Sequence, residues 1–333
     1  MLKSRITIVF FIMSVFFLIC FSGCGKKVPS YKLEVTSFAL NIPNVDVNKY
    51  FSRVTDVDIT SNDEIVVVDI DGPSILRFDS DGKFINNIAG YGSGNYEAIC
   101  SVTPVDSLYA INTIGLIEIF TRTGKPVKRH FLRGRGDVVV SQNGSFVINR
   151  MYDSFRLGKC LETYNEDGQL ISTFRSPRCS QEGKEILDFG FTGLTNDNKI
   201  IYMPATVDSG FIYDFDGNLI LAKKVKSKLK PYKLENGAPG TLTEDVYVNE
   251  DGIFVIRVDK KMSTDEIVVF DLIEQYDFNF DLIASYNFAK PITMTVAAEY
   301  YSPWYHKFCY KDGLFYFMIS QPFEQLIAFR AKK

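Results

Sequence analysis

Histidine is nearly absent from this sequence, which contains only His130 and His306 among 333 residues. Because imidazole is the commonest metal ligand of proteins, a metal centre with several histidine ligands is nearly excluded. The six cysteines do not follow a zinc-binding spacing. We therefore predict no metal and no other cofactor, and we expect His130, at the end of a strand, to lie on the surface.

Clustered positive charge is also missing. The 37 Lys and Arg residues are outnumbered by 40 Asp and Glu, which gives a net charge of −3. Nucleic-acid-binding proteins need a basic patch to neutralise phosphates, so nucleic acid is excluded as a partner. We interpret the one basic run, residues 223–230, as a strand end and the loop that follows it.

No apolar run is long enough for an ordinary membrane span. The longest, Ile6–Phe21, has 16 residues, whereas a span needs about 20. It follows two basic residues and precedes Ser22-Gly23-Cys24, an arrangement typical of a cleaved secretory signal. The small residues before the cysteine resemble the bacterial lipobox, although Phe21 replaces the usual Leu. That resemblance implies a diacylglycerol on Cys24; the alternatives are an uncleaved anchor helix and a plain secretory signal.

One unit recurs along the rest of the chain, and no stretch shows sustained helical periodicity. Each unit has an apolar strand, a turn, a second strand, a third strand ending in an aromatic residue, a polar turn and a last strand. The aromatic markers are Phe78, Phe120, Tyr164, Tyr213, Tyr276 and Phe329, spaced by 42, 44, 49, 63 and 53 residues. A four-stranded propeller blade takes about 40–50 residues. The sequence therefore predicts an all-β fold, a six-bladed β-propeller with four-stranded antiparallel blades.

The domain boundaries follow from the signal and the repeat. Residues 1–23 are the predicted signal peptide, 24–30 a lipidated tether and 31–333 the propeller. The predicted blades span residues 54–96, 99–132, 137–175, 187–225, 244–288 and 305–330. The sixth unit lacks a fourth strand, so we expect segment 31–40 to supply it beside 326–329, because closing a ring removes open sheet edges.

The first unit contains Phe78-Asp79-Ser80-Asp81-Gly82-Lys83-Phe84-Ile85 and then Gly90-Tyr91-Gly92-Ser93-Gly94-Asn95-Tyr96. It resembles the six-bladed β-propeller lipoproteins of Bacteroides-type bacteria, relatives of NHL-repeat and TolB-like propellers. Those proteins often carry Pro and Glu where Ser93 and Asn95 stand here. The resemblance covers most of residues 45–330 as a repeat pattern. It implies the fold and a cell-envelope location, but no particular activity, because propellers serve many roles.

The candidate ligand contacts belong to the last long insertion. They are Tyr300, Tyr301, Trp304, Tyr305 and His306, which include the only Trp of the chain. Aromatic faces beside polar groups suit a sugar or a peptide. The alternative is that these side chains fill the space between the fifth and sixth blades.

Other candidate groups have structural alternatives. Asp56 and Asp58 alternate with apolar residues, so both would face the central channel, either as an acid–base pair or solvated by channel water. The Asp-Gly pairs superficially suggest calcium loops, but hairpin turns explain them better. Among the four cysteines after the signal, Cys160 and Cys179 are the nearest pair in sequence for a disulfide, with buried free thiols as the alternative.

We predict a non-enzymatic binding or scaffold module for a glycan, a peptide or an envelope protein, monomeric and held to a membrane through the lipid on Cys24. The alternative is a hydrolase or lyase with its site at the channel mouth. Carboxylates converging with a histidine in the channel would favour the enzyme, whereas tyrosines and hydroxyls would favour binding. The tether lacks the acidic stretch of many surface-exported lipoproteins, so we expect the periplasmic face of the outer membrane.

Overall fold

The computed structural model describes residues 28–41, 54–69, 74–89, 99–105, 108–113, 116–131, 136–150, 161–174, 179–181, 184–186, 190–205, 207–229, 243–258, 267–295, 308–319 and 325–332. Within these ranges every regular element is a β-strand, so the all-β prediction is confirmed. No helix in this described part is long and apolar enough to cross a membrane.

Four separate sheets have four antiparallel strands each. The first contains β2 (Val54–Ile59), β3 (Ile65–Asp69), β4 (Ser74–Phe78) and β5 (Phe84–Ala89). The second contains β6 (Ile99–Val105), β7 (Leu108–Thr113), β8 (Leu116–Thr121) and β9 (Pro126–Phe131). The third contains β10 (Asp137–Val140), β11 (Phe146–Asn149), β12 (Leu161–Tyr164) and β13 (Leu170–Phe174). The fourth contains β16 (Gly190–Leu194), β17 (Ile200–Pro204), β18 (Ser209–Tyr213) and β19 (Leu219–Lys224).

The remaining strands form a two-stranded hairpin and one eight-stranded sheet. The hairpin pairs β14 (Cys179–Gln181) with β15 (Lys184–Ile186). The eight-stranded sheet contains β1 (Ser30–Val35), β20 (Thr243–Asn249), β21 (Gly252–Val258), β22 (Ile267–Tyr276), β23 (Leu282–Thr295), β24 (Phe308–Lys311), β25 (Leu314–Ile319) and β26 (Gln325–Lys332). Its order is β20-β21-β22-β23-β1-β26-β25-β24.

The prediction of six separate four-stranded blades is therefore wrong. Four sheets stand alone, while the last two units are joined edge to edge through β1. The reason is that β1 uses both of its edges: it runs parallel to β23, with Ser30 opposite Ser285, and antiparallel to β26. An edge strand offers a row of unpaired backbone groups, and here two such edges are satisfied by one strand.

The amino-terminal segment ties the end of the chain to its beginning. In β1, Leu33 lies opposite Ala331 and Val35 opposite Phe329, which is the neighbour that the sequence indicated for this segment. Residues 36–41 then continue to the first sheet, where Asn41 donates its N–H to the carbonyl of Gly82 and accepts from the N–H of Phe84. The strand ends at Val35, so the rest of segment 31–40 acts as a strap between sheets.

The sheets are arranged like the blades of a propeller around a central axis. The innermost strands β2, β6, β10, β16, β20 and β24 each contact the next, and β24 contacts β2, so they form a closed ring. Apolar clusters fill the spaces between successive sheets; between the first two sheets, Val66 and Val68 pack with Val102 and Tyr109. Burial of these side chains supplies most of the stabilisation of such a ring.

The polar turns of the repeat are hairpin turns, and we call them the outer turns because each connects the third and last strands of a unit. Gly82, Gly124, Gly168 and Gly217 have φ between 75° and 85° there, a region that glycine adopts without steric cost. The residue after the aromatic marker caps the turn: the Asp79 carboxylate accepts the N–H of Lys83. These carboxylates therefore serve the turns, as the hairpin interpretation predicts.

The outer turns of the second to fifth units also pack against the preceding sheet, and that of the first sheet packs against Ala39 of the strap. A Cβ on Gly124 would lie 2.5 Å from the carbonyl oxygen of Ile88, and one on Gly217 would lie 2.5 Å from the ring of Phe174. The fifth outer turn has Phe280 at φ 57° in place of glycine. Its buried ring occupies the space beside Gly210, where a Cβ would come within 2.4 Å of it. In the fifth turn the large side chain therefore belongs to the turn and the glycine to the neighbouring sheet, so the two still pack closely.

The expected surface position of His130 is wrong. Its side chain is only 8% exposed. The imidazole packs 5.5 Å from the ring of Phe146 and against the outer turn at Gly168, between the second and third sheets. The sequence placed it at a strand end, but the next outer turn covers that end.

Candidate functional site

A cavity of about 460 Å³ lies on the central axis. It is lined by the outgoing ends of all six inner strands and by the described turns that follow five of them, which we call the inner turns. Among the described lining residues are tyrosines, hydroxyl and amide side chains and carboxylates, and none of these residues is a histidine. This lining is of the kind that the sequence analysis associated with binding.

Three inner turns share one construction. Thr60, Ser141 and Thr195 stand at the end of an inner strand and bond to their own turns; the Thr195 hydroxyl accepts the N–H of Lys199 at 2.9 Å. These hydroxyls hold the turn, so they are not available to a ligand. The next residue of each turn does border the cavity: Ser61, Gln142 and Asn196, and at the equivalent place in the eight-stranded sheet Glu250 and Asp312.

The charge of the lining is uneven. Glu250, Asp251 and Asp312 lie on the inner turns of the eight-stranded sheet, whereas the turns of the third and fourth sheets present amides. The lining contains one described cation, Lys311, and its ammonium group forms an ion pair with Asp63. The eight-stranded side of the cavity is therefore negative.

The deeper part of the cavity holds Tyr247 and Asp58. The Tyr247 hydroxyl lies 3.5 Å from Oδ1 of Asp58, at the limit of a hydrogen bond, and thus connects two sheets across the ring. Burial, followed by the charge of Asp58, raises the pKa of Tyr247 well above its ordinary value, so the phenol remains a neutral donor. A neutral phenol between sheets is suited to hydrogen bonding rather than to proton transfer near pH 7.

The two carboxylates that the sequence directed at the channel have different positions. Asp58 borders the cavity. Asp56 is fully buried, and its Oδ2 accepts the N–H of Val102 from the second sheet at 2.7 Å. One carboxylate thus borders the cavity and the other joins two inner strands, which does not match an acid–base pair facing a common substrate.

Cys309 lies buried in the same region as a free thiol. Burial, and then the nearby charges of Asp58 and Asp56, raise the pKa of its thiol well above the ordinary value. Because the thiolate is the reactive form, this cysteine is held in an unreactive state. Cys160 and the side chain of Cys179 lie outside the described residues, so their disulfide stays a prediction.

The site residues that the sequence predicts also fall outside the described ranges. They are Cys24, Tyr300, Tyr301, Trp304, Tyr305 and His306. Their lipid-anchor and ligand-contact roles therefore stay predictions. Within the described part, no group of three or more His, Cys, Asp or Glu residues is placed to hold a metal ion.

Sequence reasoning missed the inner-turn residues and Tyr247. A signal was present, because Asn249-Glu250-Asp251-Gly252 and Lys311-Asp312-Gly313 are hairpin sequences directly before a buried strand. It also missed Arg257, which is fully buried and pairs with Glu274 at 2.7 Å. The Ser227 hydroxyl and the N–H of Lys228 bond to the same carboxylate, so the basic run holds the fourth sheet to the next one.

Comparisons with known proteins support the fold. A member of the DUF4221 family from Bacteroides vulgatus has a TM-score of 0.56 at 11% identity, covering 92% of this chain and 100% of that one. A Bacteroides fragilis protein whose name calls it a putative exported protein has a TM-score of 0.54 at 13% identity, again covering 92% and 100%. A virginiamycin B lyase from Staphylococcus aureus has a TM-score of 0.48 at 12% identity, covering 90% of this chain and 99% of that one, and this similarity is too low to support any inference.

At these identities the likeness establishes a β-propeller fold and nothing about activity. No family model matches the sequence, and no curated protein matches it either. The chain is thus a β-propeller.

Proposed function

We propose that this chain is an exported, lipid-anchored propeller of the cell envelope that binds a glycan, a peptide or an envelope protein without transforming it. The observation that carries the proposal is the cavity lining. Tyr247, Thr103, Gln142 and Asn196 offer hydrogen-bonding groups on several sides of one concave space. Ligand sites are commonly concave pockets of about 300–1,000 Å³ with a few converging polar groups.

The rival function, a hydrolase or lyase at the channel mouth, has less support. Hydrolysis needs an activated nucleophile or a general base near the pH of the reaction. The buried Cys309 is held as a thiol, and Asp56 is engaged with the backbone of Val102. The polar groups that border the cavity are suited to recognition.

Export and anchoring are supported by the amino-terminal sequence, and the exported designation of the Bacteroides fragilis neighbour agrees with them. Strand β1 runs parallel to β23, which begins just after the fifth outer turn, so β1 also begins at the end of the sheet where the outer turns lie. Inner and outer turns lie at the same end of an antiparallel sheet. The residues before Ser30 therefore approach from the side on which the cavity opens. Within the tether 24–30, the five residues between Cys24 and Ser30 span at most about 18 Å when extended. A lipid on Cys24 would therefore hold the cavity close to the membrane, most simply at the periplasmic face of the outer membrane.

The anchor is tested by metabolic labelling with a lipid precursor. The wild-type chain should incorporate the label, and Cys24→Ala should not, whereas Cys309→Ala serves as a matched control that keeps it. Labelling that persists in Cys24→Ala would exclude the proposed anchor.

Binding is tested on the full-length protein in detergent, with a glycan array and with pull-downs from envelope extracts. Thr103→Trp places a bulky side chain in the cavity, and Ile220→Trp places the same side chain on an exposed outer strand. A ligand of the cavity should be lost with Thr103→Trp and kept with Ile220→Trp. Ligands retained equally by both variants would show that the cavity is not the binding site.

A further inference from the structure

The two sides of the cavity differ in the group that they offer to a ligand. On the eight-stranded side, Glu250, Asp251 and Asp312 border the opening, and Asp58 of the first sheet lies beside Tyr247. Among the described lining residues the one ammonium group is that of Lys311, which is paired with Asp63. A concave, partly enclosed space strengthens such a field relative to open water.

Two tyrosine rings border the same side of the cavity. The Tyr310 ring is held by aromatic packing, with centroids 4.2 Å from Phe254 and 4.6 Å from Phe315, and the Tyr247 ring packs 6.0 Å from Phe308. Fixed electron-rich rings beside carboxylates attract an ammonium or guanidinium group through the ring quadrupole as well as through charge. This aromatic contribution is independent of the carboxylates and indicates the same class of ligand.

The described residues on the opposite side of the cavity are uncharged. Thr103, Gln142 and Asn196 border it, and within the described residues their side chains make no hydrogen bond. Hydroxyl and amide groups of this kind pair with peptide N–H and carbonyl groups. The cavity volume of about 460 Å³ admits one long side chain with the backbone on either side of it.

We propose that the cavity recognises a lysine or arginine side chain of a peptide segment, with the cation between the carboxylates and tyrosines and the peptide backbone along the amide side. This inference rests on the proposed binding function and names its ligand. A neutral glycan would use the amide side alone and would leave the negative side without a partner.

The test uses the full-length protein in detergent and two capped pentapeptides, Gly-Gly-Lys-Gly-Gly and the same peptide with norleucine, titrated by calorimetry. Norleucine keeps the alkyl stem and removes the charge. We expect the lysine peptide to bind about tenfold more tightly, and that difference to shrink at high salt. Equal binding of the two peptides, or no binding of the lysine peptide at millimolar concentration, would overturn the inference.

A triple variant locates the cation. Glu250→Gln with Asp251→Asn and Asp312→Asn removes three charges from the cavity and should weaken binding of the lysine peptide about tenfold, because each partly exposed ion pair contributes only modestly. The control, Asp81→Asn with Glu166→Gln and Asp216→Asn, removes three charges from outer turns. Equal weakening in both would mean that the overall field, and not the cavity, attracts the peptide.

The cavity-filling variant separates this inference from the proposed function. One outcome is that Thr103→Trp abolishes peptide binding, while the norleucine peptide binds the wild type as tightly as the lysine peptide does and the triple cavity variant keeps wild-type affinity. The cavity would then bind a peptide, and only the cationic class of the ligand would be wrong. If Thr103→Trp leaves peptide binding intact, the cavity is not the site and both proposals fail. Thermal unfolding of each variant confirms that the fold is retained.

Discussion

The outer turns and the inner turns of this protein are both hairpins, yet they have different structural roles. Outer turns pack: the ring of Phe174 lies against Gly217, and the Arg77 guanidinium donates to the carbonyl of Arg122 across two sheets. Three inner turns are stabilised by a hydroxyl at the end of the inner strand, as at Thr195, and the residue after that hydroxyl borders the cavity. The first kind of turn joins sheets together, and the second kind borders the axis.

The difference is visible within the chain. Four outer turns have the same residue at one position, Gly82, Gly124, Gly168 and Gly217, because each combines a positive φ with a close neighbour. The equivalent inner-turn positions, three residues after the capping hydroxyl, hold Asp63, Gly144 and Asn198, all with a positive φ. Glycine is therefore uniform where a positive φ coincides with close packing against a neighbour, whereas inner turns also accept Asp and Asn.

The largest expected effect concerns the fifth outer turn, which has Phe280 in place of glycine. Phe280→Ala removes a ring that is 1% exposed and fills the space beside Gly210. We expect the free energy of unfolding to fall by about 3–5 kcal/mol, as for other buried phenylalanines. Phe278→Ala in the same turn, where the side chain is 37% exposed, should cost much less. Equal losses in denaturant unfolding would contradict the packing role.

A pair of glycine substitutions compares the two kinds of turn directly. Gly124 in an outer turn and Gly144 in an inner turn have φ of 82° and 86°. Both alanine variants suffer the same backbone strain, about 1–2 kcal/mol. Only Gly124→Ala also forces a Cβ to within 2.5 Å of a backbone carbonyl, whereas the nearest atom at Gly144 is 3.6 Å away.

We therefore expect Gly124→Ala to destabilise the protein by about 3 kcal/mol and Gly144→Ala by about 1 kcal/mol. Denaturant unfolding of the two variants under one buffer condition measures the difference. If both lose the same amount, backbone strain alone explains the repeated glycine and the packing argument is wrong.

The fold was predictable because the repeat is encoded in local signals. The aromatic marker, the capping Asp79 or Asp214 and the turn glycine recur in one chain, and each has a local physical reason. The pairing of β1 with β23 was not predictable. It depends on where two distant edges meet, and no local signal near Ser30 or Ser285 reports that distance.

The candidate site was predictable only in part. Alternation placed Asp58 at the channel correctly, but it could not distinguish Asp58 from Asp56, whose carboxylate joins two inner strands. The sequence around Tyr247 predicts an inner strand and nothing more, and Asp58, which the Tyr247 hydroxyl contacts, is 189 residues away in the sequence. Such contacts depend on ring closure, which composition and spacing do not specify.

The smallest expected effect concerns His130, which the outer turn at Gly168 covers. Burial and the nearby charge of Lys128 lower the pKa of His130, while Asp167 opposes them. The unfolded chain therefore takes up a proton near pH 6.5, before the folded protein does, so stability falls as the pH drops below that value. His130→Gln removes this titration, and its unfolding midpoint should fall less between pH 7 and pH 5 than that of the wild type.

Val127→Gln is the matched control for that measurement, because it changes an exposed position of the same strand, leaves His130 in place and should keep the wild-type pH dependence. The two variants separate the titration of His130 from other effects of a substitution in this strand. If His130→Gln retains the full acid-induced loss, the imidazole is not held neutral by its neighbours. The outer turn at Gly168 would then cover the strand end without affecting its protonation, and packing at the outer turns would have no electrostatic consequence.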